Sequence, residues 1–345
     1  MSRLRMKALV INTSGEVSVK EFDAPLPAPG EVLLQMRYVG FCGSDLSTYL
    51  GKNPMVDYPR VPGHEISGVI SRVTEGVPPE YKIRDRVTVV PYTNCGSCPS
   101  CKRGRTYACR ENQTLGVQRD GAMQEYIAVP WQKLLPASGL NELELAMVEP
   151  LTVGFHAIER GRVSKEDVVM VLGCGMIGAG AIAGAAIRGA SVIAVDIDDH
   201  KLELAKELGA KHVINSSKTK LHHELVGITA GDGPDVVVEA AGNPLTYRAA
   251  VDEVAFTGRV VCIGYAGSEV SFATKLFVQK ELDIMGSRNA TPEDFKHVIA
   301  YLEQGNFPLE KMISLKVNPR EASEALKDWA ANPGRIMKIL VDFTS

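Results

Sequence analysis

Four cysteines lie close together in this chain of 345 residues, at Cys95, Cys98, Cys101 and Cys109. Four thiolates at such spacing can close tetrahedrally around one zinc ion, and a site with four protein ligands has no position left for a substrate. Disulfides are the other use of such residues, but the total of seven cysteines is odd and disulfide scaffolds are typical of exported proteins. The cluster therefore predicts a zinc ion that stabilises the fold.

A second set of metal-type residues lies outside this cluster: Cys42, His64, Glu65 and Glu149. One thiolate, one imidazole and one carboxylate make a three-ligand zinc site, which leaves a position open for water or substrate. Such an open site is typical of catalytic zinc. The spacing does not decide whether Glu65 or Glu149 is the third ligand. We therefore expect two zinc ions per chain, one structural and one catalytic.

Two polar residues follow Cys42 closely in the sequence. Ser44 can accept the proton that a zinc-bound alcohol loses. Asp45 can orient the imidazole of His64 from outside the ligand set of the metal. Both residues are therefore candidates for a part in catalysis.

A glycine motif follows the apolar run at 168–172 and precedes a small-residue run that favours a helix. The loop and first helical turn consist of Gly173, Gly175, Met176, Ile177 and Gly178. In this context the first glycine permits a tight turn, the second admits a pyrophosphate, and the third lets the helix pack on the strand. Asp196 stands where a carboxylate binds the adenosine ribose and repels a 2′-phosphate. The motif predicts NAD in preference to NADP.

Composition limits the classes of function. With 345 residues, 45% of them hydrophobic, the chain is too long for a single ordinary core, so two domains are expected. The formal net charge of −3, from 38 basic and 41 acidic residues, gives a field too weak to attract nucleic acid or a membrane surface. The apolar run after Met6 is too short for a signal peptide. We expect a cytoplasmic protein.

The strand pattern changes near residue 150. Before it, short strands between Pro and Gly clusters predict a β-rich, barrel-like domain, at 7–11, 17–20, 31–39, 68–73, 86–90 and 125–129. After it, apolar runs alternate with helical segments, as in a parallel sheet, at 168–172, 192–195, 212–214, 236–239, 259–263 and 282–286. A capping signal at Thr291 starts a helix, and the last strand, 336–341, is expected to return to the first domain.

Taken in order, these motifs resemble the zinc-dependent medium-chain dehydrogenase/reductase family over nearly the whole chain. The resemblance is carried by Cys42-Gly-Ser-Asp45, Gly63-His64-Glu65, the four cysteines, Glu149-Pro-Leu151 and the glycine motif at 173–178. It implies an α/β fold class with a β-rich domain. A GroES-like catalytic domain would span 1–151 and 290–345, with a zinc lobe at about 91–112, and a Rossmann domain with a doubly wound parallel sheet would span 152–289. A homo-oligomer, dimer or tetramer, is also implied.

Within this family the chain is similar to the sorbitol, threonine and sugar-acid dehydrogenase branch. Segments 58–64 and 285–295 are similar to those of L-galactonate 5-dehydrogenase-like enzymes. The resemblance implies oxidation of a secondary alcohol of a sugar acid to a ketone, with hydride transfer to NAD. A polyol or L-threonine dehydrogenase is the alternative among enzymes. A catalytically inactive NAD-binding redox sensor is the alternative outside them, and the intact Cys42, Ser44, His64 and Glu65 argue against it.

The resemblance also implies roles for single residues. Cys42 and His64 become ligands of the catalytic zinc, with Glu65 as the third ligand in one geometry and Glu149 in reach for exchange. The cofactor site gains Gly264, Ser287 and Arg288, and the substrate site consists of Ser44, Glu149, Arg288 and Asn289. A guanidinium at Arg288 is suited to gripping a carboxylate.

Two departures from the family pattern affect the expected site. Ser47 stands where alcohol-type relatives have a histidine that passes protons outward. Gly121-Ala-Met123 stands where the sugar-acid relatives tend to have two glycines and an aromatic residue. We therefore expect the outer end of the proton relay and the shape of the pocket to differ from those of the relatives.

Overall fold

The computed structural model describes residues 4–344. The chain divides into two units, Met1–Glu149 with Phe295–Ser345 and Pro150–Asp294. The sequence predicts domain boundaries after residues 151 and 289. In the structure these boundaries fall after Glu149 and Asp294, differences of two and five residues. Each observed boundary falls inside a helix, whereas sequence signals mark the ends of elements. No helix among residues 4–344 is long and apolar enough to cross a membrane.

The secondary structure consists of strands and helices numbered here in chain order. The strands are β1 (Arg5–Thr13), β2 (Glu16–Asp23), β3 (Glu31–Phe41), β4 (Glu65–Val73), β5 (Arg86–Val89), β6 (Tyr126–Pro130), β7 (Leu134–Pro136), β8 (Val168–Leu172), β9 (Ser191–Asp196), β10 (His212–Asn215), β11 (Val236–Glu239), β12 (Arg259–Cys262), β13 (Asp283–Gly286), β14 (Leu315–Val317) and β15 (Ile339–Asp342). The helices are α1 (Gly43–Tyr49), α2 (Pro99–Lys102), α3 (Glu142–Arg160), α4 (Met176–Ile187), α5 (Asp199–Glu207), α6 (Leu221–Thr229), α7 (Pro244–Glu253), α8 (Lys275–Gln279), α9 (Pro292–Leu302), α10 (Leu309–Met312) and α11 (Ala322–Ala331). Short 3₁₀ helices lie at Thr106–Ala108, Trp131–Lys133 and Pro333–Arg335.

The first unit is built around β3. This strand pairs antiparallel with β4, β6 and β15, in a seven-stranded sheet of order β14-β15-β3-β4-β5-β7 with β6 attached to β3. Alternate residues of β3, Val32, Leu34 and Met36, are fully buried, as expected of a strand with one face on the core. β1 and β2 form a separate two-stranded sheet. Pairing of Ile339 with Phe41 returns the C-terminal segment to the first unit, as the sequence predicted.

The second unit contains a six-stranded parallel sheet of order β10-β9-β8-β11-β12-β13. Counted from β8, this order is 3-2-1-4-5-6, the doubly wound arrangement that the sequence predicted. β8 and β11 are buried along nearly their whole length, because helices cover both faces of such a sheet. The order in which strands are added reverses between β8 and β11. β9 and β10 lie on one side of β8, and β11, β12 and β13 lie on the other. Ligands of this fold bind at the carboxyl ends of the strands next to that reversal.

Candidate metal and cofactor sites

The four cysteines meet in the segment between β5 and β6. Their sulfur atoms all lie within 4.8 Å of one another, with 3.6 Å between Cys95 and Cys109 and 3.8 Å between Cys98 and Cys109. Zinc bound tetrahedrally by sulfur at about 2.3 Å requires sulfur atoms about 3.8 Å apart. All four are free thiols. The cluster therefore has the dimensions of a four-sulfur zinc site.

Local hydrogen bonds reach three of these four sulfur atoms. The backbone N–H of Cys98 donates to Cys95 Sγ, and that of Cys95 donates to Cys109 Sγ, both at 3.3 Å. Ser100 Oγ lies 3.1 Å from Cys98 Sγ and donates to the carbonyl oxygen of Ala108 at 3.0 Å. The lobe is therefore organised by contacts between residues near in sequence.

Strand pairing in the first unit assembles the candidate open site. Cys42 directly follows β3, His64 directly precedes β4, and Glu65 is the first residue of β4. The register of β3 and β4 places Glu65 opposite Gly40, and a Cβ at Gly40 would lie 1.9 Å from Glu65 Oε2. Only glycine therefore leaves room for the carboxylate. The candidate ligand atoms of Cys42, His64 and Glu65 lie within 4.8 Å of one another.

The open site gathers negative charge. Burial alone would lower the pKa of His64, but Cys42, Glu149 and Asp45 outweigh it and raise this pKa well above its usual value. Burial also raises the pKa of Glu149, against the opposing effect of His64. These negative groups stabilise positive charge next to His64. Such an environment suits a divalent metal ion bound by a thiolate, an imidazole and a carboxylate. Glu149 lies outside the set of three ligand atoms, although it acts electrostatically on His64.

Lys338 contacts Glu65 and was not found by sequence reasoning. Its Nζ donates to Glu65 Oε1 at 2.5 Å, to Oε2 at 2.6 Å and to the carbonyl oxygen of Phe41 at 3.1 Å. The side chains of Lys338 and Glu65 are 3% and 1% exposed. A buried carboxylate needs such a partner. The pairing of β15 with β3 brings this lysine to the site, and no local sequence signal marks it.

Tyr92 contacts Glu149 and was also missed. Its hydroxyl donates to Glu149 Oε1, and both side chains are buried. Burial and the adjacent carboxylate raise the pKa of Tyr92 well above its usual value, so the phenol keeps its proton near neutral pH. The tyrosine lies three residues before Cys95 in a segment that the sequence presented only as the approach to the zinc lobe.

Ser44 and Asp45 lie at the start of α1 in different environments. Ser44 Oγ is buried and lacks a hydrogen-bond partner among residues 4–344, which fits a hydroxyl kept for a bound molecule. Asp45 accepts hydrogen bonds from the N–H groups of Cys42 at 2.8 Å and Gly63 at 3.4 Å. His64 Nδ1 has no partner in the described part of the chain. Asp45 therefore accepts hydrogen bonds from backbone N–H groups rather than from the imidazole in the described residues, and its part in orienting His64 stays a prediction.

The glycine motif forms the turn between β8 and α4. Gly173 has φ of +94°, and a Cβ at Gly178 would lie 1.9 Å from the carbonyl oxygen of Gly173. A Cβ at Gly175 would meet nothing within 4 Å, so a ligand can approach its backbone. Met176 and Ile177 form the first turn of α4. An open helix N-terminus at the carboxyl end of β8 fits a pyrophosphate.

Asp196 ends β9 and is tied to this motif. Its carboxylate accepts hydrogen bonds from the N–H groups of Cys174 at 2.7 Å, Ile197 at 2.8 Å and Asp198 at 3.0 Å. A carboxylate offers about four acceptor positions, so capacity remains for one ribose hydroxyl. The sequence did not indicate that three backbone groups also use this carboxylate.

The other predicted cofactor residues follow β12 and β13, whose carboxyl ends lie at the same sheet edge as the glycine motif. The carbonyl oxygen of Gly264 accepts a hydrogen bond from the Tyr247 hydroxyl at 2.5 Å. Ser287 Oγ is buried and has no partner within 4–344. Arg288 and Asn289 come next, and Asn289 has φ of +55°. The roles of Arg288 and Asn289 toward a substrate stay a prediction.

Glu239 at the end of β11 was missed. It is fully buried, and its Oε1 accepts hydrogen bonds from Ala241 N–H at 3.1 Å, Gly242 N–H at 2.8 Å and the Thr246 hydroxyl at 2.7 Å. A Cβ at Gly173 would lie 2.9 Å from Ala241. Glu239 therefore shapes the loop that packs against the glycine motif. A glutamate ending an otherwise apolar run was the available signal.

Comparison with known proteins identifies the family. The alcohol dehydrogenase GroES-like domain matches residues 28–139, and the zinc-binding dehydrogenase domain matches residues 177–304. A zinc-type alcohol dehydrogenase-like protein of Haemophilus influenzae is 34% identical over 97% of this chain and 98% of its own. The chain belongs to the zinc-type alcohol dehydrogenase family. The expected GroES-like and Rossmann architecture is thereby confirmed.

Other members of the zinc-type alcohol dehydrogenase family match over equal lengths. The L-galactonate-5-dehydrogenase of Escherichia coli K12 is 32% identical, covering 98% of this chain and 99% of its own. A sorbitol dehydrogenase of Halalkalibacterium halodurans is also 32% identical, covering 97% and 99%. These two relatives are named for different substrates. Sequence identity alone therefore does not decide between a sugar acid and a polyol.

Two solved structures share the fold of this zinc-type dehydrogenase. The rspB alcohol dehydrogenase of E. coli CFT073, complexed with NADH, is 31% identical with a TM-score of 0.90, covering 98% of this chain and 99% of its own. A zinc-binding dehydrogenase structure from Sinorhizobium meliloti 1021, bound to NADP, is 28% identical with a TM-score of 0.90, covering 99% and 100%. The cofactors of these two relatives differ by one phosphate.

Proposed function

We propose that this zinc-type dehydrogenase oxidises a secondary alcohol of an L-galactonate-like aldonate to a ketone, with NAD as the hydride acceptor. The observation that carries the chemistry is the set of Cys42, His64 and Glu65 in the same unit as the buried, unpartnered hydroxyl of Ser44. Three protein ligands leave room on a zinc ion for a substrate oxygen, whereas the four cysteines leave none.

The candidate residues have different roles in this reaction. When bound, zinc would lower the pKa of the alcohol and NAD would accept the hydride. Cys42, His64 and Glu65 would hold the metal, and Lys338 compensates the charge of Glu65. The buried Ser44 hydroxyl would take up the alcohol proton while releasing its own. Ser47 takes the place of the relay histidine of alcohol-type relatives, so the proton leaves by a different outer route.

The sugar-acid assignment is supported by the L-galactonate-5-dehydrogenase relative and by Arg288. A guanidinium can bind a carboxylate through two parallel hydrogen bonds. A polyol substrate is the second candidate, because the sorbitol dehydrogenase relative is equally identical.

The deciding experiment measures NADH absorbance with the zinc-loaded protein. We expect kcat/KM to be highest for an aldonate such as L-galactonate, above sorbitol and threonine. Replacing Arg288 by Leu should lower kcat/KM about 10- to 100-fold for aldonates, because a charged hydrogen bond is lost, and change neutral polyols little. Equal losses on both classes would reassign Arg288 to the cofactor. A preference for sorbitol or threonine in the unchanged protein would overturn the substrate class.

The preference for NAD is supported by Asp196, whose carboxylate would repel a 2′-phosphate. Asp196→Ala should lower kcat/KM with NAD about 10- to 100-fold, since hydrogen bonds to a charged group are lost, and should narrow the preference over NADP. Asp196→Ala also removes the three hydrogen bonds that the carboxylate accepts from backbone N–H groups. We therefore expect a lower melting temperature, which is measured in parallel. Better use of NADP by the unchanged enzyme would contradict the assignment.

We also propose a homo-oligomer that assembles through β13, and a cytoplasmic location. β13 ends the six-stranded sheet, and Ile284 on it is 44% exposed. Such an edge presents backbone groups to a second chain. Sedimentation should show a dimer or tetramer that Ile284→Lys weakens, and a monomer in both would contradict the proposal. Cell fractionation tests the location.

A further inference from the structure

The two candidate carboxylates of the open site have different partners. Lys338 contacts both oxygen atoms of Glu65, at 2.5 and 2.6 Å. The Tyr92 hydroxyl donates to Oε1 of Glu149. All four side chains are buried, with exposed fractions of 1% for Glu65, 3% for Glu149 and Lys338, and 5% for Tyr92. Among these contacts, a lysine pairs with Glu65 and a phenol donates to Glu149.

We propose that Tyr92 is a positioning residue whose hydroxyl holds Glu149 away from the metal, so that Glu65 supplies the third protein ligand at rest. This inference rests on the proposed function only in requiring a metal ion at Cys42 and His64. It concerns the choice between Glu65 and Glu149, which spacing left open.

Hydrogen bonds hold the backbone on both sides of Tyr92. Lys133 Nζ donates to the carbonyl oxygen of Tyr92 at 2.7 Å. On either side, the carbonyl oxygen of Pro91 accepts from Leu115 N–H at 3.1 Å, and Thr93 N–H donates to the carbonyl oxygen of Gln113 at 3.2 Å. Moving Glu149 onto the metal would leave this buried phenol without its acceptor, which costs free energy.

The surroundings of Glu65 favour it as the ligand. Its carboxylate already lies within 4.8 Å of the ligand atoms of Cys42 and His64, in space that the absence of a side chain at Gly40 provides. Lys338 already compensates the charge of Glu65. A second carboxylate on the metal would add negative charge beside the Cys42 thiolate, Glu65 and the buried Asp45, which is unfavourable in a buried site.

The test uses cobalt(II) at the open site, with zinc retained in the cysteine cluster, and no substrate or NAD. The visible spectrum of cobalt(II) reports its ligands and geometry. We expect Glu149→Gln to keep the spectrum of the unchanged protein and Glu65→Gln to alter it. Tyr92→Phe should alter the spectrum, because the released Glu149 can then reach the metal. The double variant Tyr92→Phe/Glu149→Gln should restore the original spectrum.

Each other outcome overturns the inference. An altered spectrum in Glu149→Gln alone would make Glu149 a resting ligand. An unchanged spectrum in Tyr92→Phe, or an altered one in the double variant, would show that Tyr92 does not act through Glu149. Tyr58→Phe is the matched control, because it removes a phenol that donates to the carbonyl oxygen of Thr48 instead. Melting temperatures verify folding. Failure of the unchanged protein to bind cobalt at all would reject the metal site itself, and with it the proposed function.

Discussion

The two metal-type sites of the first unit differ in how far apart their residues lie in the sequence. The four cysteines fall within fifteen residues, from Cys95 to Cys109, and two of their sulfur atoms accept hydrogen bonds from backbone N–H groups of the same segment. The open site instead depends on strand pairing, and Lys338 lies 273 residues from its partner Glu65. One site is therefore made by a loop and the other by the fold.

This difference predicts opposite relations between metal and structure. The lobe around the cysteines has a small buried cluster of its own, consisting of Cys98, Cys101 and Cys109, so a metal ion must supply much of its stability. The residues of the open site are held by β3, β4 and β15, which belong to the main sheet. Loss of metal should therefore loosen the lobe and leave the framework of the open site in place.

Single ligand substitutions give the largest expected contrast. Cys42→Ala should lose one of two zinc ions and nearly all turnover while its melting temperature changes little, because the sheet holds the site. Cys98→Ala should lose the other zinc ion and lower the melting temperature first. Elemental analysis, melting curves and NADH absorbance decide the matter together. One zinc ion in the unchanged protein, with full activity in Cys42→Ala, would remove the catalytic assignment.

The hydroxyl of Ser44 should matter only to the chemistry of the open site. Ser44→Ala should lower kcat by about 10² to 10⁴, the usual contribution of a general acid–base group, with both zinc ions retained. Ser44→Thr keeps a hydroxyl and is expected to preserve most of kcat. The comparison is made at neutral pH with saturating NAD. An unchanged kcat in Ser44→Ala would mean that water can take the proton without help.

Lys338 tests how strongly the fold supports the open site. Lys338→Met leaves Glu65 buried without its cation, and breaking a buried ion pair from one side typically costs about 3–5 kcal/mol of unfolding free energy. Lys327→Met is the control, because Lys327 and its partner Glu324 are 68% and 69% exposed, and such surface pairs contribute about 0–1 kcal/mol. Urea denaturation measures both. Similar small losses in the two variants would show that Glu65 does not depend on Lys338.

Much of the fold could be predicted from the sequence because its strands carry strong local signals. The runs 168–172 and 236–239 coincide with β8 and β11, since strands buried on both faces are continuously apolar. β7 and β14 were missed because each has three residues, too few to show alternation, and each exists through its pairing partner. Long or fully buried strands could therefore be predicted from the sequence, and very short strands could not.

The candidate sites divide in the same way. Spacing in the sequence was enough to mark the cysteines and the glycine motif as candidate sites, because the residues of each lie within one short segment. Lys338 and Tyr92 could not be found, because β15 and the segment after β5 reach the open site only in three dimensions. The part of Asp45 in orienting His64 stays a prediction, since backbone N–H groups occupy the same carboxylate. Residues that support a site from a distance leave no pattern in the sequence.

The smallest effect is expected at Ser100, the polar neighbour of the cysteine cluster. Ser100 Oγ lies 3.1 Å from Cys98 Sγ and donates to the carbonyl oxygen of Ala108 at 3.0 Å, so it links the two ends of the lobe. Ser100→Ala should lower the unfolding free energy by about 1 kcal/mol, the usual value of such a hydrogen bond, without changing kcat. Urea denaturation of the zinc-loaded protein measures this change.

Ser97→Ala is the control for Ser100→Ala, because Ser97 Oγ lies 3.5 Å from Cys95 Sγ in an exposed contact. It should change stability by no more than about 0.5 kcal/mol, as surface substitutions usually do. The zinc ion and the adjacent backbone N–H groups hold the cysteines in place when a single polar neighbour is removed. A loss in Ser100→Ala as large as that in Lys338→Met would mean that the lobe depends on its polar partners as much as the open site does. The contrast between a site made by a loop and a site made by the fold would then be wrong.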